Sequence, residues 1–558
     1  MSNDNDYRSV PADETKEEKE APAIPTKTVD DFLKMGNYCY LILVISEFIL
    51  LGGAGNMIYM IFAGSAPRVS CRGSNFTIKD VCKSKINISS LTDCDLDIQY
   101  EFKSLNVEFG YLCAQTAYVK SSISVQMIGV LVGTLLFGYT SDRFGRKTTL
   151  VGAFIMTSVM GLASSFSTSL MMFTVLRTIL GFFCGGLLGA YGVYKLEHIP
   201  KQHRFWVATV IAWAPNYILL NVVAYFSHDW RTFQRVLVLI GSPALILFFF
   251  VHESPRWLIQ KGRIEEARTI LQKIQRLDGA ADTKKEEMEK MLDVTYQKMK
   301  AREEKAKNYN VFHLFMYREL AIATVVYCLG NFMTSMINYG LVFNIEMLSG
   351  SFFVNSILMG SIRWSMNIVF GVLDFKCKFI GRKMVHFISQ ATIAFCLLVI
   401  SITYLAGALD FHLECLSSFL VLMMVRNGKE KRLFPGLDSH YAVLIRVSSL
   451  IAAATTAQIY ITKGISGMEY YPTVVRNSGM ALKSTCSRLG TILAPQLFIL
   501  SSWVSLPYVV LAIMATLDTM AFQLIIPETK GKPLPENLPE KRKRSKSTAK
   551  RQSSISKV

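Results

Sequence analysis

Apolar and polar positions alternate along this chain in long blocks. Runs of about 20 apolar residues, the length a helix needs to cross a hydrocarbon core, are separated by short charged loops. The first run is Tyr38 to Phe62. After a long polar segment come Ser121 to Thr140, Thr148 to Ser167, Leu170 to Tyr194, Phe205 to Phe226 and Val236 to Val251. A charged stretch with helical patterning, His252 to Arg318, interrupts the series. Then follow Leu320 to Phe343, Phe352 to Leu373, Met384 to Leu405, Ala442 to Ile461, Met480 to Ser501 and Leu506 to Ile526. The pattern predicts an all-α polytopic membrane protein of about twelve spans, half of them on each side of the central stretch. Leu413 to Val425 is apolar but too short to span, so Phe411 to His440 reads as an external insertion, with a re-entrant segment as one option.

These boundaries predict a disordered cytosolic tail (1–37), a first six-helix bundle (38–251) with an extracellular loop (63–119), a cytosolic central loop (252–318), a second six-helix bundle (319–527) and a basic cytosolic tail (528–558). The N-terminal segment is mixed in charge and lacks the basic and apolar regions of a cleaved signal, so the first span is expected to direct insertion. An even span count puts both termini on one side, and the run Lys541-Arg542-Lys543-Arg544 marks that side as cytosolic.

Composition changes the picture in two places. Hydrophobic residues make up 51% of the 558, above the share of an ordinary soluble domain. A net charge of +18 raises nucleic acid as a partner. The cations, however, sit in inter-span loops and the tail, as the positive-inside rule requires, and no nucleic acid is expected. The segment between the first two spans holds the chain's two Asn-x-Ser/Thr sequons, at Asn75 and Asn87, and four of its eleven cysteines, Cys71, Cys82, Cys94 and Cys113. On an extracellular loop both asparagines could carry glycans and the cysteines could form two disulfides, with three connectivities open.

Between the second and third spans stands Gly138-Tyr-Thr-Ser-Asp142-Arg143-Phe-Gly145-Arg146-Lys147. Its cations resist translocation, its glycines let helices approach, and Asp142 can pair with an arginine or a helix end. The pattern resembles the signature loop between helices 2 and 3 of the major facilitator transporters. Gly381-Arg382-Lys383 echoes it in the second half, with Asp374 displaced, which supports an internal duplication. The cysteine-bearing first loop narrows the resemblance to solute carrier family 22, the organic cation, anion and zwitterion transporters. Asp229 to Gln234, Glu253 to Leu258, Tyr339 to Leu341, Glu469 to Asn477 and Pro527 to Gly531 extend it from Tyr38 to Pro535. The resemblance implies the major facilitator fold and a secondary-active or facilitative plasma-membrane transporter of organic ions, working by alternating access.

Arg143, Arg146, Glu197, Arg204, Glu253 and Arg256 gather at one set of span ends, and Asp142, Arg382 and Glu469 supply the second half or its partner surface. Singly each is a topological anchor of little worth. As a set they read as a gate whose ion pairs latch the two bundles in one state and break in the other.

Charges inside spans are costly and therefore candidates for cargo contact. Arg488 falls in the eleventh span and Arg363 in the eighth, while Glu47 in the first is the main acid and a candidate to neutralise one of them. Lys463 and Lys483 stand nearer span ends and are read as snorkelling to the interface. A cavity arginine can grip a carboxylate or sulfate in bidentate fashion. The resemblance sharpens this, since cation carriers of the family have Asp at the position Arg488 matches, and anion and carnitine-type carriers have Arg. Arg363 falls where cation carriers tend to have an acid, and anion carriers place a Lys one turn later, at Asn367. Asn56, Tyr217 and Tyr339 match positions that line the family's cavity, and Phe343 extends the Tyr339 face by one turn.

The expected cargo is an organic anion or a carnitine-like zwitterion. An organic cation carrier of the same family, a sugar or neutral-solute facilitator and a non-transporting membrane sensor stay as alternatives. No catalytic constellation, metal spacing, cofactor motif or Walker A loop is recognisable, so neither an enzyme nor an ATP-driven pump is expected. Gly185-Gly186-Leu187-Leu188-Gly189 lies inside a span, where glycines permit close packing. The partners expected are the organic ion, the lipid bilayer and a coupling ion or counter-substrate.

Overall fold

Twelve long helices carry the fold of the computed structural model, which describes residues 32–72, 95–200, 203–204, 207, 213–279, 285–305, 311–377, 379–424, 437–472, 475–501 and 503–530. In the first half they are α1 (Asn37–Ala63), α2 (Thr116–Phe144), α3 (Arg146–Ser164), α4 (Leu170–His198), α5 (Trp213–Ser227) and α6 (Trp230–Leu247). In the second they are α7 (Arg318–Val342), α8 (Phe352–Lys376), α9 (Arg382–Met424), α10 (Leu437–Tyr470), α11 (Arg476–Leu500) and α12 (Leu506–Ile525). Among the described residues nine of them contain a stretch long and apolar enough to cross a membrane. The other three, α5, α6 and α11, are packed against those nine.

Local chemistry explains where hydropathy misplaces an end. Helix α6 starts at Trp230, because the Asp229 carboxylate accepts the N–H groups of Arg231 (2.7 Å) and Thr232 (3.0 Å) as an N-cap. By hydropathy the run begins later because Arg231 and Gln234 interrupt it. Both are engaged inside the protein, Arg231 with Glu108 (2.7 Å) and Gln234 with Arg177 (2.9 Å). Helices α2 and α4 press together through glycines: a Cβ on Gly185 would lie 2.3 Å from the Val130 carbonyl oxygen. That is the packing role expected of the Gly185 cluster.

The charged central stretch folds into helices Pro255–Gln260, Ile264–Leu277 and Lys285–Lys305. It docks under the first half, where the Trp257 indole N–H donates to the Asp142 carbonyl (3.1 Å) and Asp278 accepts the Tyr38 N–H (2.9 Å). The re-entrant option for Phe411 to His440 fails over its described part. Helix α9 continues unbroken to Met424, and α10 begins at Leu437. At 1.5 Å per residue α9 is roughly 64 Å long, about twice a hydrocarbon core.

Between α1 and α2, strands β1 (Arg68–Arg72) and β2 (Asp95–Gln99) pair antiparallel with Arg68 opposite Gln99. Cys113 is disulfide-bonded. Asn75, Cys82, Asn87 and Cys94, and the side chain of Cys71, lie outside the described residues.

The halves touch along α2 with α11 and along α5 with α8. They are also joined at the end that carries the β1–β2 loop. Lys120 of α2 pairs with Glu346 of the α7–α8 connection (2.9 Å) and donates to Asn344 (3.0 Å). Glu346 accepts the Ala66 N–H (3.0 Å), and Glu101 accepts the Ser351 hydroxyl (2.6 Å) and the Phe352 N–H (3.2 Å) at the start of α8. Phe62, Phe102 and Phe233 of the first half pack edge and face against one another, and Phe62 and Phe102 also pack against Phe352 or Phe353 of the second. Hydrogen bonds, an ion pair and apolar rings together close this end.

Candidate substrate path and gates

At the opposite end the Gly-Arg-Lys motif and its echo build the same device twice. Glu253, just after α6, accepts the N–H groups of Arg146 and Lys147 (3.0 Å each) and so caps α3. Glu528, just after α12, does the same for Arg382 (2.9 Å) and Lys383 (3.0 Å) and caps α9. A carboxylate at a helix N-terminus meets free N–H donors and the positive end of the helix dipole. The Lys147 ammonium reaches the Val251 carbonyl (2.7 Å), and Lys383 reaches that of Gln523 (2.7 Å). Arg146 faces Glu197 (3.6 Å) and Arg382 faces Glu469 (3.3 Å).

Glycine is required at the matching position in both copies. A Cβ on Gly145 would fall 2.5 Å from Glu253 Oε2, and one on Gly381 2.2 Å from Glu528 Oε2; Gly145 also has φ +115°. The duplication that the displaced Asp374 left open is therefore present in the geometry. Glu528 is the member missed from sequence, although it lies within the Pro-Glu-Thr-Lys-Gly stretch. Burial pushes its carboxyl up, but the N–H groups of Lys530, Lys383, Arg382 and Thr529 pull it down further, to below the usual glutamate range.

The remaining gate candidates divide. Asp142 pairs with Arg146, whose guanidinium also reaches the Ser141 hydroxyl (3.2 Å). Arg256 lies close enough for its charge to act on Glu197. Arg204 donates to the Leu196 (3.1 Å) and Ile199 (2.9 Å) carbonyls at the end of α4. Arg143 is exposed and contacts Tyr139 (3.4 Å). Arg382, Glu469 and Glu528 close among themselves, with Thr529 donating to Glu469 (2.6 Å). In this arrangement Arg146 pairs with Asp142 and Glu197, and Arg382 with Glu469, each within its own half.

Midway along the helices, three arginines have different fates. Arg488 of α11 is half-buried, its Nε has no hydrogen-bond partner, and no carboxylate pairs with it among the described residues. Its charge acts on Cys184 of α4 and Tyr460 of α10, one in each half. Arg363 of α8 is buried and donates to Asn338 Oδ1 (2.9 Å) and the Ala453 carbonyl (2.6 Å), near enough to act on Tyr217, Tyr460 and Tyr339. Tyr217 of α5 packs against Gly360 of α8, and the Phe343 ring lies tilted beside that of Tyr339 with centroids 5.4 Å apart. Asn367 accepts from Gln458 (2.5 Å).

The third arginine was missed from sequence. Arg177 of α4 is fully buried and donates to Gln126 (3.1 Å), Gln234 (2.9 Å) and both the side chain (2.9 Å) and carbonyl (2.6 Å) of Asn56, over the Tyr59 ring at 4.4 Å. Asn56 is thereby engaged within the first half. Glu47 neutralises neither Arg363 nor Arg488: it accepts from Asn216 (2.5 Å) and lies near Lys195.

Snorkelling by Lys463 and Lys483 is overturned. Lys463 is fully buried and pairs with Asp518 of α12 (2.5 Å), and Lys483, also buried, donates to the Lys463 carbonyl (3.1 Å). Nearness to a span end misled here because a partner on another helix leaves no trace in local sequence.

Two helical halves that repeat one clamp, and that face each other across buried and half-buried cations, define a membrane transporter of the major facilitator fold. The chain belongs to the sugar (and other) transporter family, whose model matches residues 83–537. The organic cation transporter protein of Drosophila melanogaster is 28% identical over 77% of this chain and 72% of its own. Solute carrier family 22 member 7 of Rattus norvegicus is 28% identical over 80% and 76%, and organic cation/carnitine transporter 2 of Homo sapiens 28% over 77% and 70%. These names bear out the family 22 resemblance, and the chain is a transporter rather than an enzyme. The inward-open xylose transporter XylE of E. coli matches at a TM-score of 0.58 and 17% identity, covering 89% of this chain and 98% of that one, which shows the shared fold.

Proposed function

We propose that this protein carries organic anions or carnitine-like zwitterions across the plasma membrane, with Arg488 meeting the negative group of the cargo. The observation that carries this reading is the state of Arg488: half-buried, between the halves, and paired with no carboxylate among the described residues. An uncompensated guanidinium in a low-dielectric cleft repels cations and favours a carboxylate or sulfate that fits its fork. Arg363, buried nearby among tyrosines, adds to the positive field, while Tyr217, Tyr339 and Phe343 offer flat walls to a bulky organic body. Relatives named for cations, for carnitine and as a family 22 member make charge class the open question, and this position is where it would be decided.

In this reading the loop end is extracellular, Asn75 and Asn87 carry glycans, and the termini and both clamps are cytosolic. Alternating access exchanges the seal at the loop end for one between the clamp ends, driven by the cargo gradient, a coupling ion or a counter-substrate. The test is uptake of labelled salicylate, L-carnitine and tetraethylammonium by cells expressing wild type or Arg488→Asp. Wild type should favour the first two, and the variant should lose them by about tenfold or more, the worth of one charge-assisted contact. Unchanged selectivity in a surface-expressed variant would overturn the site.

A further inference from the structure

One buried cluster in the second half takes no part in the cargo path or the clamps. Lys463 of α10 sits between Asp518 of α12 (2.5 Å) and the Thr334 hydroxyl of α7 (3.1 Å). His386 of α9 places Nε2 3.8 Å from the same Asp518 oxygen, and its ring stacks on Phe522 with centroids 3.9 Å apart. Neither ring nitrogen of His386 has a hydrogen-bond partner, nor does Asp518 Oδ1. Lys483 and Cys486 of α11, Tyr327 and Cys328 of α7 and Tyr471 after α10 are further titratable groups around it. Gly330 of α7 makes room, since a Cβ there would come 2.4 Å from Asp518 Oδ1.

The duplicated clamp supplies a control for what the fold itself requires. His386 stands four residues after Arg382, as Leu150 does after Arg146. Lys463 stands six before Glu469, as Tyr191 does before Glu197, and Asp518 ten before Glu528, as Pro243 does before Glu253. Where the second half buries an imidazole, an ammonium and a carboxylate, the first builds the same helices with leucine, tyrosine and proline. Packing therefore does not demand these charges, and burying them is costly.

We propose that Asp518, Lys463 and His386 form a proton-exchange site that couples proton movement to transport; the coupling half of this rests on the transporter reading above. His386 lies one helical turn from Arg382 at the clamp end. A proton bonds to Nδ1 of the neutral ring, and the ring's other proton leaves Nε2 for the Asp518 carboxylate, which becomes a carboxylic acid. The ion pair with Lys463 is then lost, Lys463 keeps Thr334, and the ring is left in its other tautomer. Release runs the same steps backwards. Because the pair ties α12 to α10, and these helices lead into Glu528 and Glu469, its loss loosens the second clamp.

Infrared difference spectra of the full chain in lipid nanodiscs, taken between alkaline and acidic buffer, test the site itself. A protonated-carboxyl band should appear in wild type and be missing in Asp518→Asn; coincident spectra would overturn the proposal. The paired variant Asp518→Asn with Lys463→Met removes both charges together and keeps the test independent of a stranded lysine. His386→Gln should slow the appearance of the band after a pH jump and leave its final size unchanged. In vesicles, an imposed inward proton gradient should drive salicylate accumulation by wild type, while the paired variant exchanges salicylate without gradient dependence. A titrating band with gradient-independent wild-type uptake would overturn the coupling. If salicylate, L-carnitine and tetraethylammonium all fail to cross, the cargo reading falls and the infrared result still decides the proton site.

Discussion

At Arg177 a guanidinium is held by oxygens that carry no formal charge, those of Asn56, Gln126 and Gln234, with the Tyr59 ring beneath it. Replacing it with methionine would strand these buried acceptors at about 1–3 kcal/mol each. Arg177→Met should therefore lower the thermal midpoint of the purified protein clearly, and Arg177→Lys should not restore it, because an ammonium cannot span the same fork of acceptors. A thermal unfolding assay in detergent measures both. The sequence marks Arg488 and Arg363 because each charge interrupts an apolar run, but it is silent on which one is already engaged. For Lys463 it misleads, since the partner Asp518 stands 55 positions later. Glu528 titrates below the ordinary glutamate range, so its contribution to stability is full above about pH 4.3 and fades as pH falls through its lowered value. Thermal midpoints of wild type should drop in that acid window, and Glu528→Gln should start lower and lose this component of the pH response.

Helices and loops were read from hydropathy wherever the apolar run is continuous, as in α4 and α12. The reading fails where polar side chains face protein instead of lipid. Arg231 and Gln234 hide the start of α6, and α11 carries a polar stretch from Lys483 to Arg488 that serves the interior. The second clamp was half visible, with Gly381-Arg382-Lys383 standing out and the glutamate that grips it sitting over a hundred positions away. Connections matter at this scale too. Lys120 and Glu346 are both largely shielded and join α2 to the α7–α8 connection. Lys120→Glu should open the loop end, with a shift worth ~1 kcal/mol, or about fivefold. It should be read as faster labelling of an introduced Tyr339→Cys by an impermeant thiol reagent, and adding Glu346→Lys should reverse it.

Across the whole molecule the two ends are unlike. At the clamp end each half satisfies Arg146 or Arg382 from its own carboxylates, whereas at the loop end the halves satisfy each other. Motion between them therefore costs most where Lys120, Glu101 and the phenylalanines meet. Those rings give the motion a thermal signature. Parting Phe62 and Phe102 from Phe352 and Phe353 wets apolar surface, and wetting apolar surface raises heat capacity. If that parting limits turnover, an Eyring plot of exchange should curve instead of running straight. Phe353→Ala, with less ring to hydrate, should flatten the curve, and a line equally bent in both proteins would place the slow step elsewhere. A carrier closed by oil at its loop end thus keeps its own thermometer, turning over with a temperature dependence set by a handful of aromatic side chains.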